Sequence, residues 1–324
     1  MISSPPRPQL SGPARRSPTC RIAVPAALLL VVFAVVAPVL FAMRDLPFDS
    51  DEAVHAANGL AVAFHLRAGR LGQALAEVYR QRWYPPGLSL HLTPFVLVFG
   101  PQYWAVRYPL LLALLVGLSL LYRAGRALWP GDRAAALGAM ALAATVPLLW
   151  MQAALCMEES LGLVGLAATF LAYARLVRKG RGWLWVGVVA AATFLLRITA
   201  GLFVLAALAW AMLAYRQHWR ERGVVLKGLG PGLLTAVGWW AGPDKLAGLR
   251  DYFLASAPQA TDYSFHTVAV WAEHMLRADT VGVLTGVILL AGLALALARW
   301  REPRAGFLLA LVLVVWGALA LKRQ

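Results

Sequence analysis

Charge is scarce in this 324-residue chain, of which 14% is charged and 60% is hydrophobic. The sequence has only two cysteines and lacks the motifs GxxxxGK[ST], HExxH and GxSxG, as well as a GxGxxG segment after a strand. These absences argue against nucleotide-driven chemistry, a HExxH zinc site and a serine nucleophile on a sharp strand-to-helix turn. The energy for any transfer reaction must therefore come from a donor that is already activated.

Long apolar runs recur along the whole chain, and the mean hydropathy is +0.67. Each run is long enough to cross a hydrocarbon core of about 30 Å as a helix. The pattern predicts an all-α, polytopic membrane protein with about nine transmembrane helices. The predicted spans are 22–43, 104–122, 134–150, 159–177, 183–196, 198–214, 224–241, 280–298 and 305–321. Residues 86–99 are too short to cross and include Pro94, which favours a re-entrant segment.

The net charge of +15 could indicate a nucleic-acid partner, but the basic residues form short clusters between apolar runs. Such clusters are typical of cytoplasmic loops in membrane proteins. If residues 86–99 do not cross, the side of the N-terminus holds 18 of the 30 basic residues but only 3 of the 15 acidic ones. We therefore expect membrane lipids and no nucleic acid as partners, a cytoplasmic N-terminus, and outer loops over 44–103 and 242–279.

The same topology divides the chain into two parts. Residues 1–21 are basic and rich in proline and serine, which predicts a disordered cytoplasmic tail. Residues 22–324 are predicted to form one transmembrane catalytic domain. Cys20 and Cys156 lie on opposite sides of the membrane in this topology, so we expect neither a disulfide nor a metal site from them.

The densest acidic cluster is Asp49-Ser50-Asp51-Glu52, shortly after the first apolar run. Two interpretations of Asp51 and Glu52 remain open from the residues alone. The first is a solvated loop, or N-capping of the following helix by Ser50 or Asp51. The second is a general base or substrate-orienting carboxylate at the membrane boundary, where partial desolvation raises the pKa of a carboxylate.

The rest of the first outer loop has two further features. Residues 53–64 form an amphipathic pattern, which predicts a helix lying in the membrane interface. Its apolar face consists of Val54, Ala57, Leu60, Ala61 and Phe64. The second feature is Trp83-Tyr84-Pro85-Pro86-Gly87, whose consecutive prolines fix an extended turn. Trp83 and Tyr84 either anchor this turn at the interface or contribute to a site.

A second set of charges lies near the outer ends of later spans. Glu158 and Glu159 begin the fourth span, where carboxylates at the edge of hydrocarbon indicate a functional site. The alternative is stabilisation of the helix N-terminus by acidic residues. Arg107 and Arg197 either extend to the interface or bind an anion such as a lipid-linked phosphate.

Several of these elements occur in an order that resembles the GT-C superfamily of membrane glycosyltransferases. The resemblance is to the branch with protein O-mannosyltransferases, the lipid A aminoarabinose transferase and related bacterial lipopolysaccharide sugar transferases, and it covers roughly residues 22–240. The elements are Asp51-Glu52, Tyr84-Pro85-Pro86, Phe99-Gly100, Ala105-Val106-Arg107-Tyr108-Pro109, Tyr122-Arg123-Ala124-Gly125-Arg126, Glu158 to Leu161, and Leu195-Leu196-Arg197. Tyr84 departs from the aminoarabinose transferases, which have a lysine before the Pro-Pro pair, and this argues against that specificity.

The resemblance implies a glycosyltransferase that moves a sugar from a polyprenyl-phosphate donor to a glycolipid, polysaccharide or protein acceptor, with inversion. It implies a bacterial inner-membrane protein whose active site faces the periplasm or exterior. Asp51 and Glu158 are the implied catalytic residues. The implied substrate-binding residues are Glu52, Tyr84, Arg107, Glu159, Arg197, Tyr263 and His266. No cofactor is required, and a divalent metal held by Asp51 and Glu158 is the alternative.

Two other classes of function compete with transfer. A transporter or flippase for a lipid-linked or anionic substrate would carry its charges near the bilayer midplane, often in two related halves. Here the acids cluster at one face and no internal repeat is evident. The other competitor is an inactive scaffold of a glycan-assembly complex. It stays open because relatives of the implied branch are often longer, so we expect a short or truncated member.

Overall fold

The computed structural model describes residues 18–48, 50–81, 84–247 and 283–321, and within these ranges every regular element is a helix. This confirms the predicted all-α class. The α-helices are α1 (Pro18–Met43), α2 (Ser50–Arg67), α3 (Leu71–Arg80), α4 (Gly87–Phe99), α5 (Tyr103–Leu128), α6 (Arg133–Ala144), α7 (Pro147–Ala154), α8 (Glu159–Lys179), α9 (Trp183–Leu196), α10 (Ile198–Ala214), α11 (Val224–Trp240), α12 (Val283–Ala298) and α13 (Pro303–Leu321). A short helical turn over 243–247 follows α11.

Three of the described helices are long and apolar enough to cross a membrane, namely α1, α5 and α8. The number becomes four if α6 and α7 together form one bent span. The lengths therefore do not confirm nine spans. For example, α9 has 14 residues, and a helix of that length extends about 21 Å at 1.5 Å per residue. The re-entrant role predicted for residues 86–99 stays a prediction, although α4 forms a separate 13-residue helix there.

The span predicted over 134–150 is broken in two. α6 and α7 meet at an angle of 58°. Pro147 begins α7, and Val146 before it has an extended backbone with φ −76° and ψ 109°. A proline has no N–H to donate and disfavours helical geometry at the preceding residue, so the break lies where the sequence places Pro147.

α5 and α8 pack along their length at the centre of the described helices. They run parallel, since Gly117 of α5 lies against Leu163 of α8, and Ala127 lies in the same apolar cluster as Ala174. α1, α6 and α7 pack against α5, and α9 packs antiparallel on α8, with Thr193 bonded to Thr169. α2 and α4 pack on each other at the N-terminal end of α5.

This arrangement gives the bundle two chemically different ends. The acidic end contains Glu158 and the first turn of α5, where the Arg107 side chain donates to the Met43 carbonyl at the end of α1. The basic end contains the last turns of α5 and α8, and Arg304 in the first turn of α13 donates to the Leu128 carbonyl there. α5 has 26 residues, so the two ends lie about 39 Å apart at 1.5 Å per residue.

The amphipathic pattern of 53–64 lies within α2. Part of the predicted apolar face is exposed, with Val54 at 47% and Phe64 at 63%, whereas Leu60 packs against the buried cluster shared by α2, α4 and α5. The opposite face, which includes His55 and Ala56, is buried. This exposure suits a helix at the membrane interface, because the hydrophobic face is left for lipid.

Candidate active site

The first turn of α2 directs its two acids to different environments. Because successive helical residues are rotated by about 100°, Asp51 is exposed while Glu52 is only 3% exposed. Both carboxylates also benefit from the positive end of the helix dipole. Asp51 is therefore free to meet a substrate, whereas Glu52 belongs to the protein interior.

Glu52 forms a buried, two-pronged ion pair with Arg107 of α5. The distances are 2.7 Å from Nε to Oε1 and 2.9 Å from Nη2 to Oε2. The remaining guanidinium N–H groups donate to the carbonyls of Met43, Leu46 and Pro47. All five donors of this arginine are thereby used. The Glu52–Arg107 pair fixes the start of α2 and the loop after α1 onto α5.

The same Glu52 carboxylate also holds the segment between α7 and α8. Its Oε1 accepts the backbone N–H of Cys156 at 2.9 Å. Burial, helped by the Glu52 charge, raises the pKa of the Cys156 thiol, which keeps this buried side chain neutral. The contact therefore joins the segment before α8 to the first turn of α2.

Glu158 and Glu159 share Arg197, which lies between α9 and α10. Arg197 Nη2 is 3.0 Å from Glu159 Oε1, and its Nε is 3.8 Å from Glu158 Oε1. Gly162 of α8 permits this approach, because a Cβ atom there would lie 2.8 Å from Arg197 Cδ. The second oxygen of each carboxylate is buried and has no hydrogen-bond partner among the described residues.

Arg197 differs from Arg107 in having donors to spare. Its side chain is 30% exposed, against 1% for Arg107. Its Nε donates to Thr199, and its Nη1 has no partner in the described part of the chain. A guanidinium with a free edge at the protein surface can bind an anion, and one with every donor occupied cannot.

Glu158 directly precedes the candidate span α8. Burial raises the pKa of its carboxyl to about 7, although the Arg197 charge opposes this shift. The folded state therefore holds a proton that the unfolded chain releases near pH 4.5. The contribution of this group to the free energy of unfolding falls as the pH rises from 4.5 to about 7, and is constant above that.

Glu158→Gln is expected to remove this part of the pH dependence and to raise the unfolding temperature most at pH 8, because the amide never ionises. The measurement is the unfolding temperature of detergent-solubilised protein at pH 5, 6, 7 and 8. Glu302→Gln is the matched control, since Glu302 is exposed. An unchanged pH profile for Glu158→Gln would contradict the raised pKa.

His55 and Tyr84 extend the site from Asp51 toward α9. His55 is 2% exposed, and its ring centroid lies 4.2 Å from that of Tyr84. Burial lowers the pKa of His55 to about 4, and the Asp51 charge opposes this. Pro85 and Pro86 lead from Tyr84 to Gly87, where a Cβ atom would lie 2.5 Å from the Leu195 carbonyl oxygen. Tyr84 therefore lies three residues before the point where α4 approaches the end of α9, which Arg197 follows.

Lys245 is a buried cation at the same end that the sequence analysis did not single out. It is 4% exposed, lies between the Tyr79 and Trp239 rings, and has no hydrogen-bond partner among the described residues. Burial lowers its pKa to about 8. Nothing in the sequence marks it, because the rings that bury it belong to α3 and α11.

The structure describes seven of the nine predicted site residues, and their printed contacts form three separate groups. Glu52 pairs with Arg107, Glu158 and Glu159 pair with Arg197, and Asp51 and Tyr84 both lie near His55. Tyr263 and His266, like Asp49 and Trp83, lie outside the described residues. Across the described ranges, no three His, Cys, Asp or Glu side chains are grouped to hold a metal ion. Two cavities, of about 740 and 410 Å³, lie at the basic end instead.

Comparison with known families gives one match. Residues 84–240 match the family described as dolichyl-phosphate-mannose-protein mannosyltransferase. The matched range includes Arg107, Glu158, Glu159 and Arg197, while Asp51 precedes it. No curated protein and no solved structure matches the chain. The family match and the apolar helices support a membrane glycosyltransferase of the GT-C type.

Proposed function

We propose that this protein transfers a sugar from a polyprenyl-phosphate donor to an acceptor hydroxyl at the outer face of the cytoplasmic membrane, with inversion at the anomeric carbon. The observation that carries the proposal is the pairing of Arg197 with Glu158 and Glu159 beside the first turn of α2. This end joins a cation with a free donor edge to carboxylates with free acceptor oxygens. Those are the groups that a leaving phosphate and an attacking hydroxyl require.

In this mechanism Asp51 takes the proton of the acceptor hydroxyl while the oxygen of that hydroxyl attacks the anomeric carbon. The bond between that carbon and the phosphate oxygen breaks, and the electron pair leaves with the lipid phosphate. Attack opposite the leaving group inverts the configuration. Arg197 donates to the phosphate as its negative charge grows, and Glu158 orients the acceptor through its free oxygen.

Arg107 and Glu52 have a positioning role in this proposal, because the guanidinium of Arg107 has no free donor left for a phosphate. Tyr84 borders the sugar site through its contact with His55. Metal is not required, since an arginine can meet a monophosphate leaving group. Tyr263 and His266 stay proposed contacts of the lipid phosphate or the acceptor.

The proposed orientation rests on the distribution of charge between the two ends. One cavity brings Arg123 and Arg126 of α5 beside Arg175 and Arg178 of α8. The other brings Lys179 and Arg181 beside Arg220 and Arg222. Since basic loops remain in the cytoplasm, this supports an acidic end that faces outward, in the inner membrane of a bacterium.

The direct test is a transfer assay with the purified protein, radiolabelled polyprenyl-phosphate sugars and a membrane acceptor fraction. A glycosyltransferase leaves label on the acceptor. A flippase moves labelled lipid across a vesicle membrane and leaves the acceptor unlabelled, and a scaffold does neither. Absence of acceptor labelling with hexosyl and pentosyl donors would overturn the proposal.

Arg197 gives the most specific variant series for this assay. Arg197→Gln is expected to lower the transfer rate by about 10²–10³-fold, as removal of a charge-stabilising donor does in other enzymes. Arg197→Lys is expected to retain more activity, because the positive charge remains while the fork of donors is lost. Arg44→Gln is the matched control, since Arg44 is an exposed arginine at the same end. Equal activity for Arg197→Gln and Arg44→Gln would contradict the assignment.

A further inference from the structure

Four arginines without acidic partners line a shallow, open cavity at the basic end, far from the candidate active site. The cavity has a volume of about 410 Å³, and its lining includes Arg123 and Arg126 from α5 and Arg175 and Arg178 from α8. None of these four has an ion pair or side-chain hydrogen bond within the described residues. We refer to this cavity as the arginine cleft. The preference for arginine in cytoplasmic loops accounts for the sign of this charge but not for four arginines facing one cavity.

The spacing of the arginines divides them into two matched pairs. Arg123 and Arg126 are three residues apart on α5, and Arg175 and Arg178 are three residues apart on α8. Residues three apart lie on the same face of a helix, about 5–6 Å apart at Cβ. Each pair can therefore grip one phosphate group with two planar guanidinium forks. Two pairs across one cleft fit a ligand with two phosphates.

The floor of the arginine cleft is apolar. Ala127, Pro130 and Leu171 complete the lining, and Ala127, Leu171 and Ala174 belong to one apolar cluster between the two helices. A soluble phosphate compound has no apolar group to pack on these side chains, whereas the glycerol and first acyl carbons of a phospholipid would cover them. The cleft also lies at the ends of two candidate membrane spans, where lipid headgroups are found.

We infer that the arginine cleft binds the headgroup of an anionic phospholipid with two phosphates, of the diphosphatidylglycerol type. Basic pockets between transmembrane helices on the cytoplasmic side are suited to such headgroups. The lipid would bridge the ends of α5 and α8, the two helices that carry Arg107 and Glu158 at their other ends. This site is independent of the sugar-transfer proposal, because lipid binding is measured without any donor or acceptor.

The neighbouring cavity provides an internal comparison. Its lining includes Lys179, Arg181, Arg220 and Arg222, but also Glu221. That carboxylate accepts the backbone N–H groups of Gly182 and Trp183 and pairs with Lys227. An acid at the floor of a cavity repels a phosphate, so we expect no selective binding of a two-phosphate lipid there.

The test is native mass spectrometry of the delipidated full chain in nonionic detergent. The probes are diphosphatidylglycerol, phosphatidylglycerol, phosphatidylcholine and inorganic pyrophosphate. The wild type is expected to bind one diphosphatidylglycerol at least about tenfold more tightly than the other two lipids. Arg123→Gln/Arg175→Gln removes one arginine from each pair and is expected to weaken binding by about 10- to 30-fold, at about 1 kcal/mol or slightly less for each charge.

The control variant is Arg181→Gln/Arg222→Gln, which removes the same charge from the neighbouring cavity and should change binding less than about twofold. Arg123→Lys/Arg175→Lys keeps the positive charge but loses the planar guanidinium groups, so an intermediate loss of binding is expected. This more conservative variant keeps the inference testable if the Gln variant fails to fold. If the Gln variant and the control lose the same affinity for diphosphatidylglycerol, binding depends on the general positive charge of the surface and the inference is wrong. Tight binding of pyrophosphate, with no preference among the lipids, would show that the ligand is a soluble phosphate compound and not a phospholipid.

Discussion

Arg107→Met is expected to destabilise the protein by about 3–5 kcal/mol, the usual effect of removing one partner of a buried ion pair. The substitution leaves the Glu52 carboxylate uncompensated at 3% exposure. It also leaves the carbonyls of Met43, Leu46 and Pro47 without this donor. Glu52→Gln should cost less, because the amide retains an oxygen for the Cys156 N–H. The measurement is the unfolding temperature and the yield of monodisperse protein in detergent.

Charge neutralisation elsewhere in the same loop separates this effect from a general one. Asp45→Asn removes a carboxylate that is 80% exposed and paired only with the neighbouring Arg44. An exposed pair of this kind contributes little, so no measurable change in unfolding temperature is expected. If Arg107→Met unfolds at the same temperature as the wild type, the Glu52–Arg107 pair does not hold this end together.

Asp51→Asn is expected to lower sugar transfer by about 10²–10⁴-fold, the range typical of losing a general base. Its unfolding temperature should stay at the wild-type value, because Asp51 is exposed and its neighbour Glu52 makes the structural contacts. The amide is close in size and shape to the carboxylate but cannot accept a proton. The measurement is the initial rate of label transfer at saturating donor, together with the unfolding temperature.

Asp45→Asn is again the matched control, and it should transfer sugar at the wild-type rate. Asp51→Glu offers a second comparison, since it keeps the base but moves it by one methylene, and it should retain a measurable fraction of activity. Full activity of a correctly folded Asp51→Asn would rule out Asp51 as the base. The acceptor proton would then have to go to another group of the site.

Much of the helical fold could be predicted from hydropathy, because a run of apolar residues is a local property. The predicted spans 183–196 and 198–214 coincide with α9 and α10, and the amphipathic stretch lies inside α2. The bend between α6 and α7 was not predicted, although Pro147 stands at it. Residues 134–150 are apolar throughout, so their mean hydropathy predicts a single span. That mean is not affected by the one backbone N–H that Pro147 lacks.

The difference between Asp51 and Glu52 was harder to predict. Both are acids in one helical turn, and the sequence alone does not give the rotation of α2 relative to α5. That rotation is set by Arg107, 55 residues further along the chain. Arg107 and Arg197 likewise look equivalent as lone arginines near span ends, and only their contacts separate a saturated guanidinium from one with a free edge.

His55 and Lys245 show the same limit for residues that were not predicted at all. His55 is four residues after Asp51, a spacing that places both on one side of α2 and could have drawn attention to it. Lys245 has no such signal, since Tyr79, which also contacts it, belongs to α3 far earlier in the chain. Local patterns therefore identified most of the charged residues at the acidic end, and long-range packing determined which of them are buried and which are exposed.

The bond between Glu52 and the Cys156 N–H has a consequence for biogenesis. Glu52 emerges from the ribosome before Arg107, and Arg107 before Cys156, so a nascent chain that ends short of residue 156 cannot close this end. The delay from Arg107 to Cys156 is roughly 2–10 s at translation rates of 5–20 residues per second. During that interval the loop after α1 is tethered to α5 alone. The acidic end therefore cannot close until about half of the 324-residue chain has been made.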